Sequence, residues 1–92
     1  MKKLRRIIKM IDIKVKLENA EVRGIEEKTS QKGNQYLIIN VDDERGKRSE
    51  LLDYNLERKD YYKRGAFGDF QLHIEIGKYS KCVIEDFKLR EA

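Results

Sequence analysis

The strongest constraint on this chain is the alternation of apolar and polar residues in five short segments. Phe70, Leu72, Ile74 and Ile76 alternate with polar residues over seven positions, for example. Because successive side chains of a β-strand point to opposite faces, such a period of two predicts half-buried strands rather than helices. The chain contains no proline, which removes one common interruption of strands. The pattern therefore predicts an all-β fold.

The predicted elements resemble the layout of a small barrel. We expect the first strand to bend near Asn19-Ala20 or Gly24, and the last strand to carry a β-bulge at Glu85-Asp86, where its apolar phase slips. Residues 56–64 are the only helical candidate, between strands three and four. The predicted strands cover residues 11–28, 35–41, 49–52, 70–76 and 81–89. This order predicts a five-stranded OB-fold, a Greek-key barrel with a short helical turn between strands 3 and 4, and an SH3-like barrel is the main alternative.

Charge is distributed unevenly along the 92 residues. The net charge is +4, yet residues 1–16 hold seven Lys/Arg and one Asp, whereas residues 17–92 hold fourteen Lys/Arg and sixteen Asp/Glu. The basic character therefore comes from the amino-terminal end, and a site for a polyanion in the body requires local clustering of cations. We predict a basic amino-terminal arm over residues 1–10, with an apolar stripe at helical spacing, followed by one OB-fold domain over residues 11–92.

The single cysteine indicates a reducing compartment, and the hydropathy of the chain argues against a membrane span. Cys82 has no partner for an intramolecular disulfide, and its apolar surroundings predict a buried, unreactive thiol. No stretch approaches the roughly 20 apolar residues that a membrane span needs. We expect a cytoplasmic protein that does not associate with a membrane.

The turn between the last two predicted strands is the first functional signal. Gly77-Lys78-Tyr79-Ser80 places a tyrosine at the tip, with Lys81 close behind. An aromatic ring between lysines suits a nucleotide, because every base has a π-face and every nucleotide carries a phosphate. In the second predicted strand, Tyr36 and Ile38 face away from a core built on Leu37, Ile39 and Val41, so they also suggest a contact surface.

Several segments, taken in order, resemble the filamentous-phage helix-destabilising proteins, which are dimeric single-stranded DNA-binding OB-folds. The similarity runs over about residues 11–92 and is carried by order and spacing. The segments are Ile13-Lys14-Val15, Ser30-Gln31-Lys32-Gly33-Asn34-Gln35-Tyr36, Val41-Asp42, Ile76-Gly77-Lys78-Tyr79-Ser80 and Ile84-Glu85-Asp86-Phe87-Lys88-Leu89.

This resemblance implies roles for individual residues. Tyr36 matches an aromatic that stacks on bases, and Ile38 matches an apolar residue on the same path. Tyr79 matches an aromatic that reaches the DNA held by the partner subunit, from a hairpin that also builds the dimer interface. Lys88 matches a basic residue of the last strand. The resemblance thus implies a homodimer formed through the hairpin around Gly77–Ser80.

The chain also departs from the family pattern. Basic positions of the first hairpin fall on Glu26, Gln31 and Asn34, an arginine of the last strand falls on Asp86, and a tyrosine of the second strand falls on Asn40. Nearby cations would have to replace that charge, and the candidates are Lys28, Lys32, Lys47, Arg48 and Lys81.

The remaining polar and aromatic residues favour structural roles. We expect Tyr54, Tyr61 and Tyr62 to pack, with the 54–64 segment covering one end of the barrel. His73 is expected on the surface beside Glu75. The chain shows no phosphate-binding glycine loop, CxxC pair or nucleophile elbow, so we expect neither an enzyme nor a metal or other cofactor.

Together these patterns predict a protein that binds single-stranded DNA, or RNA, with little sequence preference in phage, plasmid or conjugative-element replication. The alternative is a protein–protein adaptor that uses the face of Tyr36 and Ile38. The predicted nucleic-acid-binding residues are Tyr36, Ile38, Tyr79, Lys28, Lys32, Lys47, Arg48, Lys81 and Lys88.

Overall fold

A computed structural model describes residues 13–77 and 80–90 of the chain. The predicted basic arm of residues 1–10 and Tyr79 lie outside the described residues. Within them the elements are β1 (Ile13–Thr29), β2 (Gln35–Asp42), β3 (Arg48–Asp53), the 3₁₀ helix η1 (Leu56–Tyr61), β4 (Phe67–Glu75) and β5 (Lys81–Leu89). No helix in this part of the chain is long and apolar enough to cross a bilayer.

The five strands close into a barrel in the order β1-β2-β3-β5-β4, with β4 returning to β1. All neighbours are antiparallel except β3 and β5, which run parallel and meet at Leu52 and Val83. With η1 between β3 and β4, this is the OB-fold that the sequence predicts.

One long strand closes the barrel by pairing on both sides. Residues 13–21 of β1 pair with β4, and residues 21–29 pair with β2. The register shifts between Leu17 and Ala20, where Asn19 adopts a left-handed backbone with φ 57°, and again between Val22 and Gly24. Asparagine tolerates this conformation better than most residues, and the buried Asp69 carboxylate accepts the Asn19 backbone N–H at 3.0 Å. The predicted bend in the first strand is confirmed, at both suggested places.

The alternating residues of the predicted strands fill the interior. Phe70 and Phe87 stack with their ring centroids 4.4 Å apart, and Tyr62 lies against both rings. Glu85 has no partner where the β4–β5 register shifts, which confirms the predicted bulge. The core cluster consists of Ala20, Val22, Leu37, Ile39, Val41, Leu51, Tyr62, Phe70, Leu72 and Ile84.

The segment after β3 seals one end of the barrel through a buried polar contact. Tyr62 is 1% exposed and donates its hydroxyl to the carboxylate of Asp53, which is equally buried. The other Asp53 oxygen accepts the Asn55 backbone N–H at 2.9 Å, and Asn55 caps η1 by accepting from the Glu57 backbone N–H. Burial and then the bond to Asp53 raise the pKa of the Tyr62 hydroxyl above its ordinary value. The predicted packing role of Tyr62 is confirmed.

Three of the smaller predictions need correction. Tyr54 and Tyr61 do not pack inside but are 49% and 63% exposed. Cys82 is half-buried at the edge of the core rather than fully enclosed, because β4 and β5 extend past the closed part of the barrel there. His73 is also half-buried, with its ring 3.1 Å from Glu75.

Candidate nucleic-acid interface

The outer surface of β2 presents the residues that the alternation assigns to it. Leu37, Ile39 and Val41 are buried inside, so Tyr36 and Ile38 stand on the outer face, both half-buried. This division confirms the predicted two faces of the strand. Half-burial means that neighbouring strands support these side chains and leave only part of their surface to solvent.

The register of the flanking strands decides what surrounds Tyr36 and Ile38. Ile38 pairs with Glu26 of β1 on one side and Leu52 of β3 on the other, while Tyr36 pairs with Lys28. Leu52 in turn meets Val83 of β5 across the parallel seam. An apolar row therefore crosses three strands on the outer face, with charged residues of β1 along one border.

Tyr54 is the residue that sequence analysis missed. Leu37 pairs with Asp53 in an antiparallel register, so Tyr36, before Leu37, comes opposite Tyr54, after Asp53. The ring centroids of Tyr36 and Tyr54 lie 6.3 Å apart, and the ring planes meet at 60°. An edge-to-face pair of this kind leaves ring surface available to a third flat group. The signal was present in the sequence, because counting back through the Asp43–Lys47 hairpin loop places Tyr54 opposite Tyr36.

The tyrosine pair forms one wall of a cleft of about 290 Å³. The floor includes Leu52, and the opposite wall includes a lysine of β5 and the loop between β1 and β2. The lining residues are Ser30, Asn34, Tyr36, Leu52, Tyr54 and Lys81. Five of these six carry a polar group at the end or edge of the side chain, so the cleft combines an apolar surface with hydrogen-bonding capacity.

The loop at the mouth of the cleft is held by its own hydrogen bonds. The Ser30 backbone N–H donates to the Asn34 carbonyl at 2.8 Å, and the Gly33 N–H donates to the Ser30 carbonyl at 2.9 Å. The Asn34 N–H also donates to the Ser30 hydroxyl at 3.1 Å. Gly33 has φ 87°, a conformation that favours glycine, so this turn depends on that residue. These bonds fix the backbone of the loop, which carries the exposed Lys32 between the cleft-lining residues Ser30 and Asn34.

The cations near the cleft differ in whether a carboxylate already neutralises them. Lys32 and Lys81 are exposed and form no ion pair with another described residue. Lys28 lies 3.3 Å from Glu26, so its charge is partly satisfied. Two unpaired cations thus flank the tyrosine pair, and one paired cation lies beside it.

The structure does not bring the other predicted cations to this place. Lys47 and Arg48 lie at the opposite end of β2, and eight strand residues at about 3.3 Å each separate the two ends by roughly 26 Å. Arg48 is also engaged, with its Nε 3.0 Å from Asp42, and this bond lowers the pKa of the Asp42 carboxyl. Lys88 lies near the end of β5, where its backbone is opposite that of Asp69 in β4, away from the cleft. The cations named from the sequence therefore do not all lie at one place, because the two ends of the β2–β3 hairpin are separated by the length of its strands.

The adjacent carboxylates Asp42 and Asp43, where β2 enters its turn, have structural partners. Asp42 contacts both Arg23 and Arg48, and Asp43 accepts the backbone N–H groups of Arg45 and Lys47 to close the β2–β3 turn. No group of three or more His, Cys, Asp or Glu side chains suited to a metal occurs among residues 13–77 and 80–90.

Three solved chains of one yeast protein have a similar architecture. The chain resembles the mitochondrial single-stranded DNA-binding protein Rim1 of S. cerevisiae with a TM-score of 0.70 and 16% identity, over 89% of this chain and 98% of that one. Two further Rim1 chains give TM-scores of 0.64 and 0.63, with 16% and 18% identity. They cover 86% and 87% of this chain and 96% and 95% of their own. No protein-family profile and no curated protein sequence matches the chain. At this identity the likeness shows a shared OB-fold.

Proposed function

We propose that this protein binds single-stranded DNA with little sequence preference along the outer face of β2 and β3. The observation that carries the proposal is the cleft in which Tyr36 and Tyr54 form an edge-to-face pair beside Lys81, a lysine with no acidic partner among the described residues. The matching yeast structures are of single-stranded DNA-binding proteins, which supports the same class of ligand.

Bases would be held by stacking on the two tyrosines. Every base offers a π-face, so stacking is tolerant of sequence, and each stacked base contributes about 1–3 kcal/mol. Ile38 and Leu52 continue the apolar surface beside the rings. A duplex keeps its bases paired and stacked on one another, so such a surface selects for unpaired strands.

Phosphates would be held by the lysines at the rim. Lys32 and Lys81 can accept a phosphate without losing an existing ion pair, whereas Lys28 must exchange Glu26 for it. Each neutralised phosphate adds about 0.7 to the slope of log affinity against log salt for single strands. Lys47 and Arg48 would extend the path along β2, and Lys88 would add a contact near the end of β5.

The wider setting is also part of the proposal. A homodimer through the hairpin around Gly77–Ser80 would place Tyr79 against the DNA of the partner subunit, as the likeness to phage helix-destabilising proteins implies. Ile76 is exposed at the base of this hairpin, and Ile13 and Val15 are exposed on the neighbouring strand. The protein would act without catalysis, in the cytoplasm, to coat strands during phage, plasmid or conjugative-element replication, and the basic arm would add attraction for the polyanion.

The test is fluorescence anisotropy of labelled oligo-dT, oligo-rU and duplex DNA at two salt concentrations. We expect salt-sensitive binding to single strands, weak binding to duplex, and a loss of affinity in Tyr36→Ala and Tyr54→Ala. Absence of binding to any of them at low salt would refute the proposal. Comparison of oligo-dT with oligo-rU decides between DNA and RNA, which stacking alone does not distinguish.

A protein–protein adaptor is the second candidate, favoured by the apolar row of Ile38 and Leu52 and by the carboxylates Glu26 and Glu50 on the same face. A peptide docked on this row would be held mainly by apolar contact. Its affinity would therefore change little with salt, whereas phosphate binding must weaken steeply. The same anisotropy series at rising salt separates the two functions.

A further inference from the structure

A second concave surface lies at the end of the barrel, away from the tyrosine pair. It is a groove of about 520 Å³, lined by Asp60, Tyr61, Lys63, Ala66, Phe87 and Leu89. Tyr61 is 63% exposed and Leu89 61% exposed, although Tyr62, the next residue after Tyr61, is buried. An exposed aromatic beside an exposed leucine in a groove indicates a binding surface more than a packing defect.

The wall of this groove is rigid. The Ala66 backbone N–H donates to the Lys63 carbonyl at 2.8 Å, which closes a turn in which Gly65 has φ 92°. Two further hydrogen bonds of 2.8 Å tie the turn to β1, from the Gly65 N–H to the Val22 carbonyl and from the Val22 N–H to the Ala66 carbonyl. Because the turn is fixed, a ligand would meet a preformed surface and little ordering cost would oppose binding.

The charge around the groove favours an anion. Lys63 lines it, and Arg64 follows in the same turn; neither forms an ion pair with another described residue. Asp60 is the one acidic residue of the lining. An aromatic ring, an apolar floor and two unpaired cations match the chemistry of a nucleotide, as at the first cleft.

The helix η1 joins the parts of the chain that line the two surfaces. Tyr54 directly follows β3 at the first cleft, and Tyr61 ends η1 at the second, with η1 between them. A 3₁₀ helix rises about 2.0 Å per residue, so its six residues span about 12 Å. On η1, Lys59 is neutralised by Glu27 at 2.8 Å, whereas Glu57 and Asp60 are exposed and form no ion pair with another described residue. The strand would therefore be held by the sites at the two ends of η1 and not by η1 itself.

We infer that the groove at Tyr61 is a second stacking site for the same nucleic-acid strand, which leaves the Tyr36–Tyr54 cleft, crosses η1 and places a base on Tyr61 with a phosphate near Lys63. This inference rests on the proposed function and extends it, because it sets the path and the length of the bound strand. A single domain would then engage a longer oligonucleotide than the first cleft can hold.

The experiment measures affinity against oligonucleotide length. Labelled oligo-dT from about 4 to about 16 nucleotides covers the range of site sizes known for OB-folds. Wild type, Tyr61→Ala and Tyr61→Phe are compared, with Lys63→Gln as the charge variant and Arg45→Gln as its control. Arg45 is an exposed, unpaired cation in the β2–β3 loop, distant from both surfaces.

We expect Tyr61→Ala to leave the affinity for the shortest oligonucleotides unchanged. Its affinity for the longer oligonucleotides should fall about fivefold or more. Tyr61→Phe, which keeps the ring, should retain wild-type affinity at all lengths. Lys63→Gln should lower the salt dependence of binding for long oligonucleotides only. Arg45→Gln should leave the salt dependence unchanged for both short and long oligonucleotides.

Equal affinity of wild type and Tyr61→Ala at every length would overturn the inference while leaving the first cleft intact. Failure of wild type to bind any length would instead refute the proposed function. Since Tyr61 is largely exposed, the circular dichroism of Tyr61→Ala should match wild type, which makes a loss by unfolding detectable.

Discussion

Two neighbouring residues at the end of β3, Asp53 in the strand and Tyr54 directly after it, belong to regions with opposite chemistry. Asp53 points into the barrel, where the Tyr62 hydroxyl, the Asn55 N–H and Arg58 at 3.6 Å surround its carboxylate. Tyr54 points outward, into a cleft where Lys81 has no acidic partner among the described residues. The buried region supplies internal donors for its carboxylate, although one Arg58 nitrogen there has no hydrogen-bond partner, and the exposed region leaves its polar groups to solvent. The difference separates residues that hold the fold from residues free to bind.

The energetic reason is the cost of desolvation. A buried carboxylate without partners is strongly destabilising, so the interior must supply donors for it. An exposed lysine remains hydrated, so it carries no desolvation penalty in the absence of a ligand. Unpaired cations next to exposed aromatic rings are therefore a more specific sign of function here than the tyrosine count of the chain.

The sharpest test of the buried region is Asp53→Ala. We expect it to lower the free energy of unfolding by about 3 kcal/mol, because it leaves the Tyr62 hydroxyl and Arg58 without their acceptor. Urea denaturation measures this loss. Asp53→Asn keeps an acceptor and should cost less, and the folded fraction of either variant should bind oligo-dT like wild type. Weakened binding per folded molecule would show that the two regions are coupled.

Alkaline unfolding is the second test of the same region. Burial and then the Asp53 bond raise the pKa of Tyr62, so the folded state disfavours its ionised form. The contribution is fully present below about pH 10, the ordinary tyrosine pKa, and is lost as pH rises above it. The stability difference between wild type and Tyr62→Phe should therefore shrink above about pH 10. A difference that stays constant to higher pH would contradict this account.

Substitutions in the exposed region should change the affinity for oligo-dT and leave the stability of the fold nearly unchanged. Tyr54→Ala is expected to weaken oligo-dT binding by about 1–3 kcal/mol, the contribution of one stacked base. Its denaturation midpoint should stay close to wild type, since the ring is half exposed. Tyr54→Phe is the matched control and should bind normally. A variant that loses stability instead of affinity would place Tyr54 with the structural residues.

The smallest expected effect is on the salt dependence of binding, and it compares a cation without an ion pair with a cation that has one. Lys81→Gln should reduce the slope of log affinity against log salt by about 0.7, the value for one phosphate on a single strand. Arg48→Gln should change it less, because Arg48 is bound to Asp42 at 3.0 Å. Equal slopes for the two variants would mean that internal ion pairing does not decide which cations bind.

The sequence predicted the fold because strands have a short-range signal. Alternation marks β2, β4 and β5 within a few residues of their bounds, and the phase slip marks the bulge at Glu85. Such features depend on neighbours along the chain, and the closed β3–β5 seam then follows from the order of elements.

The site was only partly predictable, because it depends on register and on distances across the barrel. Tyr36 and Ile38 were found by alternation, but Tyr54 required the β2–β3 register, since its own segment looked like the start of a loop. Tyr61 and Tyr62 are adjacent in the chain and differ completely in burial, a distinction that only the turn of η1 makes. Lys47 and Arg48 were grouped with Lys32 because pattern analysis does not measure the length of a hairpin.

The double pairing of β1 has a kinetic meaning as well. Its contacts with β2 join residues close in sequence, such as Thr29 and Gln35, whereas its contacts with β4 join residues as distant as Ile13 and Ile74. Because long loops are slow to close, we expect the β1–β2–β3 meander to form early and the seam with β4 to form last. Amide protons of residues 13–17 should then gain protection after those of residues 35–41 in pulsed hydrogen exchange, and the reverse order would refute it. Nascent chains would thus acquire the tyrosine pair before the barrel that carries it has closed.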